Sequence, residues 1–279
     1  MDHPHAGIHY PRSVAEFQAW FRTDADCLDY LEWLRWPAGF VCPACGRDGG
    51  WQLGDGRFMC GGCGGRSSVT AGTIFDRTRT PLTIWFTACW LFATGKDGIS
   101  ALSLKRTLAI GSYQTAWAML HRLRSVLVRP GRDRLSGRVE VDETYIGGLE
   151  QSGYIHQPRS QRAAKACGDD SGDLLPGVHR VASLAKRWLL GTHQGAVNRA
   201  HLASYLNEFV FRFNHRRSRS RGMVFYRVLE LTVAHEPVRY RDLVAAQRAR
   251  TVPPTPPTAT GHPPSFERPP ANRPWRNSG

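Results

Sequence analysis

Cys42-Pro-Ala-Cys45 and Cys60-Gly-Gly-Cys63 stand fourteen residues apart, and their reading organises the rest of the chain. Two thiolates at C-x2-C spacing can take one metal ion from a single tight turn. Two such turns complete a tetrahedral four-sulfur shell, the arrangement of a structural zinc site. Gly46 and Gly64 follow the second cysteine of each pair, where the turn favours a backbone that tolerates positive φ. Between the pairs, Trp51-Gln-Leu and Arg57-Phe-Met flank Gly54-Asp-Gly56, the pattern of a short hairpin. A redox role would need one C-x2-C pair in a thioredoxin-like setting, and two matched pairs argue against it. Residues 38–76 are therefore expected to fold as a zinc ribbon, with zinc holding the module together. Cys27, Cys89 and Cys167 are scattered and read as reduced thiols.

Outward from the ribbon the texture is helical. Residues 13–37 read as two short helices, with Ser13 and Glu16 spaced as a capping box and Asp24 or Asp26 available to cap the second. Pro81 suits the first turn of a strongly apolar helix carrying Trp85, Cys89, Leu91 and Phe92. Residues 99–124 read as helix, tight turn, helix. Gly111 is placed for the unusual backbone angle of the turn, and Ser112 is a candidate cap. Residues 138–146 alternate as a strand. Further helices are expected at 178–190 and 201–213, and the last structured stretch at 223–250. Residues 251–279 hold nine prolines in 29 and are expected to be disordered.

Thirty-seven Lys and Arg against 23 Asp and Glu give a net charge of +14, a balance that favours a polyanionic partner. There is no apolar run of about 18 residues, so a membrane partner is not expected. The first residues lack an apolar signal core, so the expected address is cytoplasmic. The basic charge concentrates usefully: between Ala101 and Arg138 the only acid is Asp133. Tyr113, Gln114 and Thr115 open the second helix of the pair, where polar side chains can reach base edges in a major groove. Lys105, Arg106, His121, Arg122 and Arg124 are candidates for phosphate contact, with Gln114 the candidate for base contact. Arg212, Arg216 and Arg217 form a second basic group. The partner these residues suit is double-stranded DNA.

Several motifs then occur in order: the cysteine pairs, Gly72-Thr-Ile-Phe75 with Pro81-Leu-x-x-Trp85, Thr115-Ala-Trp-x-Met-Leu-His-Arg-Leu-Arg124, Val141-Asp-Glu-Thr-Tyr-Ile-Gly-Gly148, and Phe209-x-Phe-Arg-Phe-Asn214. This order resembles the bacterial insertion-sequence DDE transposases that carry an N-terminal zinc ribbon. The resemblance implies a ribonuclease-H-like catalytic domain in which carboxylates and a third polar residue hold two magnesium ions for in-line attack on a phosphodiester. It implies the first catalytic acid at Asp142, metal or phosphate contact at His179, and DNA contact at Lys186. His179 and Lys186 lie seven residues apart, about 700° of helix, so both project from nearly one face. By the same resemblance the DNA is the element's terminal repeats, and other copies of the chain or full-length transposase are further partners.

One catalytic acid has no place in this chain. The family sets its second Asp after two more strands and a helix, yet only 36 residues separate Asp142 from His179. Between Gly147 and Gly177 Ile155 is the single β-branched residue, so no run there reads as a buried strand. An internal deletion with its junction between about Gly148 and Gly153 accounts for both facts. The expected fold class is α+β: a helical entry (13–37), the ribbon (38–76), a helix-turn-helix bundle (81–130), a truncated ribonuclease-H-like domain (138–235) and the tail. The expected function is that of a transposase lineage which binds DNA and has lost cleavage, with structural zinc and doubtful magnesium. The competing class is a non-enzymatic zinc-ribbon transcription regulator, which would have no need of the Asp142 or Phe209–Asn214 motifs.

Overall fold

The computed structural model describes residues 9–128, 176–194 and 197–249. The strand expected at 138–146, Asp142, the stretch of the proposed deletion and the tail at 251–279 lie outside the described residues.

Two helices open the chain, α1 (Val14–Trp20) and α2 (Asp24–Arg35). Ser13 Oγ accepts the Glu16 N–H as expected, but the Glu16 carboxylate takes the N–H of Arg12, so the box closes one residue early. The cap of α2 is Thr23, which neither aspartate displaces. Thr23 Oγ1 accepts the Asp26 N–H while Asp26 accepts the Thr23 N–H at 2.7 Å. Asp24 is thereby left to reach the start of α3 (Leu82–Thr94), where it accepts both the N–H and the hydroxyl of Thr83. Pro81 proves to be the N-cap residue of α3, one position before its first turn. It has no capping side chain, and Asp24 supplies an acceptor from another helix.

Helix α3 is apolar all round and is accordingly the buried centre of the main core. It packs against α2, against α5 (Tyr113–Ser125) and against α8 (Arg221–Ala234). Phe225 of α8 sits among Phe17, Phe21, Phe86 and Trp90, with ring centroids between 5.4 and 6.2 Å away. Thus 221–234, which sequence pattern groups with the catalytic remnant, closes the same core as the entry helices. A Cβ on Gly222 would meet the Pro11 carbonyl oxygen at 1.6 Å, so only glycine lets the segment before α1 lie on α8 at this point.

The ribbon contains a three-stranded antiparallel sheet, β1 (Gly50–Gln52), β2 (Phe58–Cys60) and β3 (Arg66–Ser67), in that order. The first two strands are the expected hairpin; the third had no visible pattern because it is two residues long. Trp36, Phe40 and Phe58 stack into a small aromatic cluster that joins the ribbon to the end of α2.

Helix α4 (Ala101–Thr107) and α5 form the expected helix pair. The turn between them departs from expectation. The residue with positive φ is Ala109, at 49°, and Gly111 is not among the positive-φ glycines. Ile110 N–H bonds to the Lys105 carbonyl and Ala109 N–H to that of Arg106, the two bonds of a Schellman ending, so the left-handed residue must be the one after the cap. Ser112 occupies the N-cap of α5 without bonding to its backbone; its hydroxyl donates to Gln114 Oε1 instead.

Helices α6 (Pro176–His193) and α7 (Leu202–Asn214), separated by a short 3-10 turn at Arg199–His201, build a second core from Ala185, Trp188, Leu189, Tyr205 and Phe209. Helix α9 (Tyr240–Ala249) follows α8 and lies near α5. The described fold is mixed, mostly helical with one small sheet. No described helix is long and apolar enough to cross a membrane.

Candidate metal centre and nucleic-acid interface

Each cysteine pair turns tightly. Gly46 and Gly64 have φ of 71° and 68°, as their positions required, and their N–H groups return to the carbonyls of Cys42 and Cys60. The two turns face each other, with Cys42 Sγ 3.7 Å from Cys63 Sγ and Cys45 Sγ 3.6 Å from Cys60 Sγ. All four sulfurs lie within 4.8 Å of one another. A tetrahedral zinc with Zn–S bonds of about 2.3 Å has S–S edges of roughly 3.8 Å, so the four donors fit that ion. Cys42 and Cys60 are buried, whereas Cys45 and Cys63 face outward.

The backbone prepares the thiolates unequally. The N–H groups of Cys63 and Gly62 favour the charged form of Cys60, drawing its thiol down to about 6. Cys45 receives a similar favour from the Arg47 N–H, but hydrogen bonds with Cys63, Cys60 and Cys42, together with burial, push it up to about 11. Among the described residues this is the one group of three or more His, Cys, Asp or Glu side chains arranged to hold a metal ion. The ribbon and its cysteine cluster support structural zinc. Cys27 and Cys89 are buried in the helical core, and desolvation pushes both thiols up, as expected of inert thiols.

The candidate DNA contacts divide. Arg106 and Gln114 are exposed and Lys105 half-buried, on α4 and at the start of α5. Arg216 and Arg217 are exposed just after α7. Arg124 must be corrected: it is 1% exposed, its Nε donates to Glu208 Oε2 at 2.7 Å, and its guanidinium lies over the Tyr205 ring. Arg212 must be corrected too. Its Nε donates to Glu208 Oε1, and its terminal nitrogens donate to the carbonyls of Gly95 and Phe92 at the end of α3. Arg124 is closed off from solvent, and the donors of Arg212, 12% exposed, are turned to Glu208 and the end of α3. Arg122 is half-buried and donates to the Val238 carbonyl at 2.8 Å. His121, a further phosphate candidate, is fully buried against Trp117, His201 and Tyr205.

Glu208 was not singled out from sequence, although an acid four residues before Arg212 on a helix is a readable pair. Burial disfavours its charge, yet Arg124 and Arg212 together hold the carboxyl below the usual carboxylate range. Of the residues assigned by resemblance to catalysis, His179 is half-buried near the start of α6 and Lys186 is exposed further along it. Asp142 lies outside the described residues.

Two family comparisons match. The transposase zinc-ribbon domain of the IS1595 group matches residues 22–66, and the ISXO2-like transposase domain matches residues 167–214. The first covers all four cysteines; the second covers His179, Lys186 and Arg212, and neither includes position 142. The chain is also similar to an uncharacterized protein in transposable element ISH50 of Halobacterium salinarum, 26% identical over 162 residues. That match takes in 56% of this chain and 54% of the relative, so the chain spans about half the length of the curated relative it matches. No solved structure matches. In chain order, a transposase zinc ribbon and an ISXO2-like transposase segment make this chain similar to the insertion-sequence transposases that carry an N-terminal zinc ribbon.

Proposed function

We propose that this chain binds the terminal-repeat DNA of an insertion element and does not cleave it. The observation that carries the reading is the pairing of a four-sulfur ribbon with a following helix pair whose second helix begins in solvent. Tyr113 and Gln114 stand exposed at that helix start, flanked by Arg106 and Lys105. A helix so presented can enter a major groove while the neighbouring cations hold phosphates. Arg216 and Arg217 extend the basic surface.

For cleavage, the reading relies on a ribonuclease-H-like centre with Asp142, His179 and Lys186 toward two magnesium ions. His179 and Lys186 bring no negative charge, and among the described residues no acidic group accompanies them as a metal cluster. Two-metal chemistry needs anionic ligands on both sides of the ion pair. Only 36 residues separate Asp142 from His179, which leaves no place for the second Asp that the resemblance implies. Such a protein would occupy element ends and compete there with full-length copies.

The test is anisotropy with terminal-repeat duplex from 50 to 200 mM salt, followed by incubation with magnesium or manganese beside an Asp142→Ala control. The expected result is binding that weakens by about one power of salt per phosphate contacted, and no strand cleavage. Gln114→Ala should blunt preference for the repeat, and Arg106→Ala should weaken all duplexes alike. Absence of duplex binding refutes the first half; cleavage that vanishes in Asp142→Ala refutes the second.

A further inference from the structure

Between the end of α3, helix α6, helix α7 and the start of α8 lies a cleft of about 540 Å³. Its stripe on α6, formed by Leu184, Arg187, Trp188 and Gly191, keeps the i, i+3, i+4, i+7 spacing of one helix face. The floor is apolar, formed by Val224 and the small exposed parts of Trp188 and Phe209, each 8% exposed, with Phe213 lying beneath the Arg216 guanidinium. The rim is basic, with Lys96, Arg187, Arg216 and Arg221 against a single acid, Asp97. Lys96, Arg187 and Arg216 are exposed, unlike Arg212 beneath them, whose charge Glu208 already balances.

Two contacts hold this shape. Trp188 Nε1 donates to the Asp97 carbonyl at 2.9 Å, pinning α6 to the turn after α3 and fixing the indole in the wall. The Arg216 guanidinium lies 3.8 Å over the Phe213 ring, and one of its nitrogens donates to the Phe213 carbonyl. The rim cation is thus preorganised as a flat surface on an aromatic ring.

We propose that this cleft takes an unpaired segment of a DNA strand, a base entering over the apolar floor against the flat Arg216 guanidinium while the other rim cations hold the adjoining phosphates. Volume excludes a duplex, since pockets of roughly 300–1,000 Å³ bury a ligand of small-molecule size and a paired base cannot leave its partner to enter. A flat guanidinium for stacking and a basic rim for phosphates are among the means by which single strands are held without regard to sequence. An acidic peptide would satisfy the rim charges but offers no flat base to the Arg216 guanidinium. The inference rests on the proposed reading of the chain as a DNA-binding protein, but it uses a different surface from the exposed start of α5.

The experiment uses the full chain with zinc and three labelled probes: a 12-mer of single-stranded DNA, the same sequence as blunt duplex, and the duplex with a short unpaired end. Gly191→Trp fills the cleft, and a Cβ at Gly191 meets nothing within 4 Å, so the helix accommodates it. A second variant, Lys96→Ala with Arg187→Ala, removes exposed rim charge and keeps the test intact should the tryptophan disturb folding. Both variants are expected to weaken the single strand and the unpaired-end duplex by roughly tenfold or more while leaving blunt-duplex affinity unchanged. Single-strand affinity unchanged in both variants overturns the cleft proposal even where blunt duplex binds. Blunt duplex failing to bind while the cleft variants still abolish single-strand binding overturns the element-end reading and leaves the cleft. Equal competition by a mononucleotide, tighter binding of single-stranded RNA, or displacement by polyglutamate each overturns the choice of an unpaired DNA strand as ligand.

Discussion

Acidification should unfold this protein through a histidine that has no room for a charge. His121 is 1% exposed, and neither ring nitrogen finds a hydrogen-bond partner among the described residues. Burial first, then the charges of Arg124, His201 and His193, draw its pKa down to about 2. The unfolded chain returns the group to about 6.5, so below that pH the unfolded state binds the extra proton. A depressed histidine therefore contributes stability above its unfolded pKa and loses it as pH falls from there toward the folded value. At pH 5 the difference is about 1.5 units for one proton, or roughly 2 kcal/mol. His193, less deeply placed and drawn down to about 4 mainly by burial, adds a smaller part that solvent screens. Glu208 does not confuse this window, because Arg124 and Arg212 hold its carboxyl below the usual carboxylate range.

The assay is urea unfolding at pH 7, 6 and 5 followed by tryptophan emission, with Trp117 as a near reporter 4.2 Å from the His121 ring. Zinc release at low pH also costs stability. For that reason the quantity of interest is the difference between the wild type and His121→Leu, in which the zinc contribution cancels. The wild type should lose about 2 kcal/mol more than the variant between pH 7 and pH 5. Equal pH slopes in the two proteins would refute the argument, because the imidazole would then be charging inside the fold or reaching solvent.

Zinc should be present at one ion per chain; its removal by a chelator should abolish amide protection in β1–β3 first, and retained protection or retained zinc in Cys42→Ser with Cys63→Ser would overturn the four-sulfur site. Ala109→Gly should stabilise the protein by up to about 1 kcal/mol in thermal melts, because relief of left-handed strain outweighs the added freedom of the unfolded chain; destabilisation would show that the Ala109 methyl matters more than its φ. Phe225→Ala should cost about 3–5 kcal/mol and speed amide exchange in α1 and α3, since the ring touches both. Exchange in α1 and α3 unchanged by that substitution would mean that α8 belongs to a separately folding unit.

What was legible in the sequence was local. The cysteine spacing fixes its own geometry, because the ligands sit on two turns a few residues long, and Gly46 and Gly64 mark where those turns need positive φ. The all-round apolar α3 was legible for a similar reason, as pattern within one helix. The Schellman ending at Ala109 was not, because nothing about alanine announces a left-handed residue and Gly111 offers a better-looking site two positions on. Least legible was the place of α8. Its partners Phe17, Phe21, Phe86 and Trp90 lie more than a hundred residues upstream, and helix periodicity says that a face is buried without saying against what.

Charge shows the same limit with greater consequence. Arg124 and Arg212 look like their neighbours Arg122 and Arg216 in a basic sequence, and counting treats all four as phosphate contacts. In the fold Glu208, 84 residues from Arg124, takes one guanidinium on each carboxylate oxygen. Two buried cations about one anion leave an excess of positive charge, which Arg212 disperses by donating to the last carbonyls of α3, where the helix dipole is negative. Arg212 belongs to the Phe209–Asn214 motif by which the chain resembles transposases. Here that motif joins α7 to the end of α3, so its arginine is an architectural group, and Phe209 and Phe213 beside it line the cleft. Among the described residues the exposed cations of the two proposed DNA surfaces lie at the start of α5 and on the rim above Arg212. Both depend on Glu208 keeping α5, α7 and the end of α3 together.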